Sequence, residues 1–396
     1  MSPAKSEILF DTVIVRLGGE IGIKSAWTRR TYEKRLIKNT GATLKHHNIP
    51  SEAIIRQQGR IYIKTSQAQK AAERLTRVFG ISSLSPANQT TDKLEDITAQ
   101  VIKLAEQKLR KQNTFAVRCR RVGTHSYTSR EVCQQAGRQI LDAFQNLQLK
   151  VNLTNPDVTL GIEIRENQAF IFTETITASD GLPVGTQLKT IALMEASLNS
   201  LVASWLTMKR GCPLVPAHFV QNQGKSTIKQ IENVCNVIFE WSFGHPTKLY
   251  LIPHNQNLNM LKQECASHLL SILNKRLIYR IALQVAEKER AEGIVTGEVI
   301  SEKPYQTLRC FRVQDQAIRG YPVHRPLAGL SNVEIEKLGQ KIGIPKSIFL
   351  RPRELEATKP RRDVLPTMEE VEAVESRFNM QDMIDETMNR VETMTL

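Results

Sequence analysis

A short connector at residues 181–185 (GLPVG) separates two different hydrophobic patterns, and this change constrains the fold more than any other feature. Before the connector, strand-like segments with alternating side chains, such as 115–119 and 158–164, lie between helical segments in no fixed order. After it, strands and helices alternate regularly, beginning with a strand at 190–194 and a helix at 197–209. Such alternation is typical of a parallel sheet covered by helices. We therefore predict an α/β protein in which small α+β modules precede a parallel-sheet domain.

The charge of the chain indicates a polyanionic partner. Its 396 residues include 54 Lys and Arg against 40 Asp and Glu, which gives a formal net charge of +14. Nucleic acid is the commonest polyanion that such a protein meets, although a generally basic proteome would produce the same excess.

Other features of the composition favour a cytoplasmic protein. The sequence contains no run of roughly 18 apolar residues, so we expect no membrane span. The N-terminus (MSPAKSEILF) lacks the basic-then-apolar pattern of a signal peptide. The six cysteines are scattered without a CxxC pair, which fits a reducing compartment and argues against zinc and structural disulfides. We therefore expect a cytoplasmic location and no bound metal.

Two basic clusters precede the connector. Six of the fifteen residues at positions 24–38 are basic and only Glu33 is acidic, so a helix here could lie along a phosphate backbone; a solvated helix face is the alternative. In the second cluster, strand alternation puts Arg118 and Arg120 on one face, and a turn at Gly123 presents the residues that follow. Arginine forks suit phosphates and Tyr127 or a histidine could stack on bases; a plain surface strand is the alternative. The candidate RNA ligands are Lys24, Arg29, Arg30, Arg35, Arg118, Arg120, Arg121 and His125.

Two strand ends after the connector are candidates for ligand binding. The loop after the strand at 190–194 reads Glu195-Ala196-Ser197-Leu198-Asn199-Ser200. It lacks the glycines that let a backbone approach pyrophosphate, and its first residue is an anion, so by itself it indicates an ordinary strand-to-helix junction. Residues 296–298, Thr296-Gly297-Glu298, end a later strand and could touch a ligand in the crevice of the sheet, or could simply begin a helix with an acidic residue.

Several segments together resemble the tRNA 4-thiouridine synthetases, the tRNA sulfurtransferase (ThiI) family. Similar motifs occur, in order and at compatible spacing, over roughly residues 12–345. They include Gly19-Glu20 with Lys24, 114–121 (TFAVRCRR), 151–158 (VNLTNPDV), 181–187 (GLPVGTQ), 208–212 (MKRGC), 295–298 (VTGE), 306–308 (QTL) and 325–327 (RPL).

The resemblance implies a division of the chain into four parts. Residues 1–90 would form an N-terminal ferredoxin-like domain, and 91–178 a THUMP RNA-binding domain. Residues 179–366 would form a PP-loop (adenine nucleotide α-hydrolase-like) ATP-pyrophosphatase domain. The fourth part, 367–396, is acidic and helical in pattern, and this pattern predicts a peripheral helix or tail. The family adenylates a uridine of tRNA with ATP and Mg²⁺ and then accepts sulfur from a persulfide.

The sequence departs from the family at both chemical steps. The PP-loop of the family reads S-G-G-x-D-S, and of the six aligned positions, 195–200, only Ser200 keeps the family's residue. No cysteine follows Cys310, the aligned position of the sulfur carrier lies near Glu354, Leu355 and Glu356, and no rhodanese domain is expected in 396 residues. Neither ATP nor Mg²⁺ is expected to bind unless the family activity survives.

We therefore expect a tRNA-binding, catalytically degenerate member of the family. It would act as a homodimer, or as a heterodimer with an active paralogue, or alone in tRNA handling. Two alternatives stay open: an active 4-thiouridine synthase with a divergent nucleotide loop, and an RNA-binding factor of rRNA or the ribosome.

The charge also predicts how RNA binding depends on salt. We expect the chain to bind full-length tRNA with an association constant that falls steeply as salt rises, because each Lys or Arg that contacts a phosphate releases a counterion. Filter-binding titrations at several KCl concentrations measure this slope. A slope near zero would show that the basic clusters do not meet phosphates.

Overall fold

The computed structural model describes residues 10–57, 59–221, 225–245, 248–345 and 366–396. The chain divides into two compact units, Met1–Gly181 (unit 1) and Leu182–Leu396 (unit 2).

Unit 1 contains one continuous mixed sheet. Its elements are, in chain order, β1 (Thr12–Leu17), α1 (Gly19–Gly22), α2 (Ala26–His46), β2 (Ala53–Gln57), β3 (Arg60–Lys64), α3 (Ala68–Leu75), β4 (Ile81–Thr91), α4 (Leu94–Lys108), β5 (Thr114–Val122), α5 (Ser129–Ala143), β6 (Lys150–Val151), β7 (Val158–Arg165), β8 (Gln168–Phe172) and β9 (Ile176–Thr177). Within the described part of unit 1 the strand order is β2-β3-β1-β4-β8-β7-β5-β6, and β9 also pairs with β4.

The long strand β4 joins the two halves of this sheet. Residues 81–87 pair with β1, and residues 88–91 pair with β8, both antiparallel. One strand thus belongs to both halves of the sheet, and helices cover each half. In α4, for example, Ile97, Val101 and Leu104 recur at helical spacing, and all three are buried.

A buried carboxylate lies between the strands of unit 1. The Glu163 carboxylate, on β7, accepts hydrogen bonds from Arg16 (3.2 Å), Arg60 (3.0 Å) and Arg165 (2.9 Å). Burial raises the pKa of Glu163, but Arg60, Arg16 and Arg165 together lower it by more, so its pKa lies below the ordinary value. The alternation in 158–164 predicted an inward apolar face on this strand; the structure adds that Glu163 and Arg165, on the opposite face, are buried as well.

Unit 2 contains the predicted parallel sheet. Its elements are β10 (Lys189–Leu193), α6 (Leu198–Lys209), β11 (Leu214–Val220), α7 (Lys225–Phe239), β12 (Lys248–Pro253), α8 (Asn255–Glu264), α9 (Ser267–Glu289), β13 (Ala291–Val295), α10 (Leu308–Asp315), β14 (Val323–His324), α11 (Asn332–Ile342), α12 (Met368–Glu375), α13 (Met380–Asn389) and β15 (Glu392–Thr395). The strand order in the described residues is β14-β13-β10-β11-β12-β15, and only β15 is antiparallel to its neighbour. The α/β prediction for this part of the chain is confirmed.

The C-terminal segment requires a correction. We expected an acidic, peripheral helical tail over 367–396, but the segment packs into the core of unit 2 and ends in a strand. Val371 and Ile384 are buried, and β15 pairs with the edge strand β12. The segment ETMT carries few apolar residues, so its pattern did not predict a strand; backbone hydrogen bonds to an otherwise open sheet edge place it there.

An ionic clamp attaches this segment to α9. The Glu375 carboxylate accepts hydrogen bonds from Arg276 at 2.7 and 2.8 Å and from Arg280 at 2.7 and 2.9 Å. Arg276 is fully buried, with a relative exposure of 1%. Burial raises the pKa of Glu375, but the hydrogen bonds from Arg276 and Arg280 lower it by more, so that its pKa falls from 4.5 to about 2.

We predict that Glu375→Gln destabilises unit 2 by about 3–5 kcal/mol, because removing one partner leaves the buried Arg276 charge without its counterion. Chemical denaturation measures this loss. The matched control is Glu386→Gln on α13, whose side chain is exposed and which should change stability by less than about 0.5 kcal/mol.

The pH dependence should follow from the same clamp. Because the pKa of Glu375 is lower in the folded protein than its usual 4.5, the clamp stabilises the fold fully above pH 4.5 and is lost as the pH falls toward 2. The difference in stability between the original protein and Glu375→Gln should shrink over that range. A difference that stays constant between pH 6 and pH 3 would contradict the clamp.

Candidate nucleotide crevice and candidate nucleic-acid interface

The candidate crevice lies where the strand order of unit 2 reverses. The chain runs outward from β10 to β11 and β12 and then returns to place β13 on the other side of β10. In open α/β sheets, ligands bind outside the carboxyl ends of the strands at this position. The loops that follow β10 and β13 here are the two segments that the sequence singled out, 195–200 and 296–298.

Glycine lets these two loops pack directly on each other. A Cβ atom at Gly297 would lie 2.7 Å from the carbonyl carbon of Asn199 and 2.7 Å from the backbone nitrogen of Ser200. The sequence-predicted residues of both segments are therefore adjacent, and the backbone of Gly297 lies against the first turn of α6.

The loop after β10 is closed by its own hydroxyl groups. The buried Ser200 hydroxyl lies 2.7 Å from the carbonyl oxygen of Glu195, to which it donates, and 3.3 Å from the Glu195 N–H, from which it accepts. Ser197 caps α6 by accepting a hydrogen bond from the Ser200 N–H at 3.3 Å. These backbone donors bind within the loop, whereas a phosphate cradle would direct them toward a ligand.

Two carboxylates lie at the mouth of this loop. Glu195 is exposed, and the Asn199 amide donates a hydrogen bond to Glu302 at 3.1 Å. Asn199 thus links α6 to the segment that follows β13. The two acidic side chains would repel a polyphosphate that approached the half-buried Ala196.

Glu298 and Thr296 form a saturated polar network beneath the crevice. The buried Glu298 carboxylate binds Lys275 (3.3 Å), Arg325 (3.0 Å) and the hydroxyl groups of Tyr279 (3.1 Å) and Thr296 (2.9 Å). Burial raises the pKa of Glu298, but Lys275, Arg325 and the hydrogen bond from Thr296 together lower it by more, so its pKa lies below the ordinary value. Its oxygens are already engaged by protein donors, which leaves them poorly suited to a metal ion.

Sequence reasoning missed most partners of Glu298. Lys275 and Tyr279 are one turn apart on α9, and nothing in the helical pattern of that segment distinguishes them from ordinary helix residues. Arg325 could be found only through the RPL motif. It also binds Asp315 at 2.6 Å and so connects the network to α10.

His218 at the end of β11 was also missed. Its Nδ1 lies 2.8 Å from the carbonyl oxygen of Met194 and donates to it, while its buried Nε2 has no hydrogen-bond partner among the described residues. Burial lowers the pKa of this imidazole. A neutral histidine beside the loop after β10 therefore keeps one unused acceptor.

The candidate nucleic-acid interface begins on β5 in unit 1. Arg118 and Arg120 are exposed on the same face, as the alternation predicted. They line a cavity of about 260 Å³ together with Arg16 and Phe172. The Arg16 guanidinium lies 5.2 Å from the centre of the Phe172 ring, and Gly161 leaves room for that ring because a Cβ there would overlap it. This face combines arginine forks with an aromatic surface.

Arg121 and His125 serve the adjacent loop. Arg121 donates to the Gly123 carbonyl oxygen and to His125 Nδ1, both at 3.1 Å. The His125 side chain is only 2% exposed, and its Nε2 donates to the Glu166 carbonyl oxygen at 2.7 Å. The expectation that the turn presents His125 to RNA therefore does not fit the structure: two strand ends hold the ring between them.

The basic residues of the first cluster lie on or just before α2. Lys24, Arg29 and Arg30 are exposed, whereas Arg35 is half-buried. The structure places this cluster and the Arg118 face on different elements of unit 1.

Three further predictions concern the sulfur-carrier position, metal binding and membrane spans. Glu354, Leu355 and Glu356, near the aligned sulfur-carrier position, lie outside the described residues. Among the described residues, no group of three or more His, Cys, Asp or Glu side chains could hold a metal ion. In that same part of the chain, no helix has both the length and the apolar character needed to cross a membrane.

Comparison with known families gives matches along the chain. The family described as "Thiamine biosynthesis protein (ThiI)" matches residues 185–380, the THUMP domain matches 92–174, and the ThiI ferredoxin-like domain matches 12–85.

Curated relatives match over most of their length. A probable tRNA sulfurtransferase of Methanosarcina mazei is 31% identical over 402 residues, which cover 99% of this chain and 97% of the relative. A probable tRNA sulfurtransferase of Thermococcus kodakarensis is 35% identical over 343 residues, 85% of this chain and 88% of the relative.

Two solved structures share the fold. A 4-thiouridine synthetase, crystallised as an RNA complex with bound ATP, superposes with a TM-score of 0.86 at 24% identity and covers 98% of this chain and 100% of that one. A Pyrococcus horikoshii protein superposes with a TM-score of 0.68 at 27% identity, covering 84% of this chain and 100% of that one. The predicted order of a ferredoxin-like module, a THUMP domain and a parallel-sheet domain is confirmed.

We predict that Gly297→Ala destabilises unit 2 by about 1–3 kcal/mol, because the added methyl group would overlap the backbone of Asn199 and Ser200. Urea denaturation measures the change. Gly329→Ala is the control, since a Cβ there meets no atom within 4 Å. Equal stability of the two variants would show that the loops do not pack as closely as described.

Proposed function

From the premise that the chain belongs to the tRNA sulfurtransferase (ThiI) family, we propose that it binds tRNA through unit 1 and has lost ATP-dependent adenylation and sulfur transfer. The protein would work in the cytoplasm on tRNA that it binds but does not thiolate. Pairing with an active paralogue would place that tRNA beside a competent site, whereas a homodimer of this chain would hold the tRNA without thiolating it.

The closed loop after β10 carries this proposal. Bound ATP needs backbone N–H groups directed at its phosphates and a carboxylate for Mg²⁺. Here the N–H groups of Glu195 and Ser200 are taken up by hydroxyl groups of the same loop. Asn199 stands at the aligned aspartate position and binds Glu302. The residues present therefore do not fit Mg-ATP.

The RNA-binding half of the proposal is supported by exposed charge. Arg118 and Arg120 lie beside Arg16 and Phe172, a combination that suits phosphates and unpaired bases. The THUMP match covers this strand. The solved 4-thiouridine synthetase with the same fold was crystallised with RNA, and we expect this chain to bind RNA as well.

The competing function is an active 4-thiouridine synthase with a divergent nucleotide loop. One observation favours it: the loops after β10 and β13 still meet at the position where such sheets bind ligands. His218 Nε2, an unused acceptor among the described residues, lies at the same edge of the sheet.

We predict that the double variant Arg118→Ala, Arg120→Ala binds tRNA about tenfold or more weakly at matched salt, with a salt slope reduced by roughly 2, because two phosphate contacts are lost. Both side chains are exposed, so the variant should keep its stability. Lys103→Ala with Lys108→Ala removes the same charge from exposed positions on α4 and is the control. Unchanged binding by the arginine variant would remove this face from the interface.

We predict that the original protein shows no Mg-ATP binding in an isothermal titration. A variant with Glu195→Ser, Ala196→Gly, Ser197→Gly and Asn199→Asp should gain measurable affinity, because these changes remove the repulsion and supply a carboxylate. Given a persulfide donor, Mg-ATP and unmodified tRNA, neither protein should yield 4-thiouridine by mass spectrometry. Tight Mg-ATP binding by the original protein, abolished by Ser200→Ala, or 4-thiouridine produced by the original protein, would establish the competing function.

A further inference from the structure

An exposed tryptophan stands at the beginning of helix α2. Trp27 has a relative exposure of 77%, and Ile23, just before the helix, has 84%. The other two tryptophans of the chain, Trp205 and Trp241, are buried at 1% and 8%. A large aromatic side chain left in water contributes little to folding, so Trp27 is available for a partner.

The first turn of α2 holds this side chain on a fixed backbone. Ser25 caps the helix by accepting a hydrogen bond from the Thr28 N–H at 3.3 Å, and the two hydroxyl groups lie 2.9 Å apart. Thr31 donates to the carbonyl oxygen of Trp27 at 3.1 Å. An aromatic ring on a rigid helix loses little entropy on binding.

Helical spacing continues from Trp27 into a row of cations. Positions 27, 30, 34 and 38 are three or four residues apart and therefore share one face of the helix. Trp27, Arg30, Lys34 and Lys38 are all exposed. At 1.5 Å per residue the row is about 16 Å long. We call these four residues the α2 stripe.

The acidic residue of this segment does not weaken the stripe. Glu33 lies on the buried side of α2, is 4% exposed, and its carboxylate binds Arg56 at 2.9 Å. The surface that the stripe offers to solvent is therefore cationic along its length and aromatic at one end. A flat ring followed by positive charges complements an unpaired base followed by phosphates.

We propose that Trp27 is a stacking platform for an unpaired base of the bound RNA, and that Arg30, Lys34 and Lys38 bind the phosphates that follow it. This inference rests on the proposed RNA binding and adds the site and the chemistry of one contact. The charge of the stripe favours RNA over an apolar protein partner, which would leave the three cations without counterions.

The fluorescence of Trp27 tests the proposal in the full chain. Because the other tryptophans are buried, stacking on Trp27 should quench the accessible part of the emission as unmodified tRNA transcript is added. A blunt RNA duplex without unpaired nucleotides should bind without this quenching. Trp27→Phe should remove the quenching and keep the affinity within about threefold, whereas Trp27→Ala should weaken tRNA binding about tenfold.

The charges of the stripe have their own readout. Arg30→Ala with Lys34→Ala and Lys38→Ala should lower the salt slope by roughly 2, at about 0.7 per single-stranded phosphate contact. The Lys103→Ala, Lys108→Ala control should leave both the slope and the quenching unchanged.

Three results would overturn the inference. Unchanged emission at saturating tRNA, with full affinity in Trp27→Ala and weakened binding in Arg118→Ala, Arg120→Ala, would reject the platform and leave the proposed function standing. A failure of the original protein to bind any RNA would reject both. Trp27→Ala that binds tRNA normally but changes the oligomeric state in gel filtration would identify the stripe as a protein contact.

Discussion

The arrangement of unit 1 depends on one buried carboxylate. Glu163 balances guanidinium groups from three strands, Arg16 on β1, Arg60 on β3 and Arg165 on β7. Removing it would leave three cations in the interior without a counterion, at a cost of several kcal/mol. The same pairing holds Arg16 against Phe172, beside the exposed arginines of β5. A charge buried for structural reasons therefore shapes the face proposed to bind RNA.

In unit 2, too, buried polar groups are paired within the protein, and here the pairing occupies a candidate ligand site. Its crevice keeps the topology of a ligand site, but its polar groups bind one another. Ser200 closes the loop after β10, and Glu298 is saturated by Lys275 and Arg325. Apart from His218 Nε2, these polar groups are satisfied within the described residues, so they need no nucleotide to pair with.

A phosphate cradle and a cationic RNA-binding surface tolerate sequence change to different degrees. A phosphate cradle requires backbone donors within hydrogen-bond distance of the ligand, so a Cβ atom or a carboxylate at that point obstructs the approach of the phosphate. A cationic surface attracts RNA over a Debye length of roughly 8–10 Å, so its residues can be rearranged with less effect. Loss of the chemistry together with retention of RNA binding is therefore physically consistent in one chain.

The sequence by itself determined the element order, the change from mixed to parallel sheet, and the lack of glycine in the loop after β10, because periodicity and residue type are local properties. Only the tertiary structure decided the roles of individual side chains. It placed His125 inside a loop, supplied Glu298 with Lys275 from α9, drew the C-terminal strand onto β12, and left Trp27 in solvent. These outcomes depend on which elements, distant in sequence, pack together. A local sequence pattern does not contain that information, so it does not predict the partner of a polar side chain.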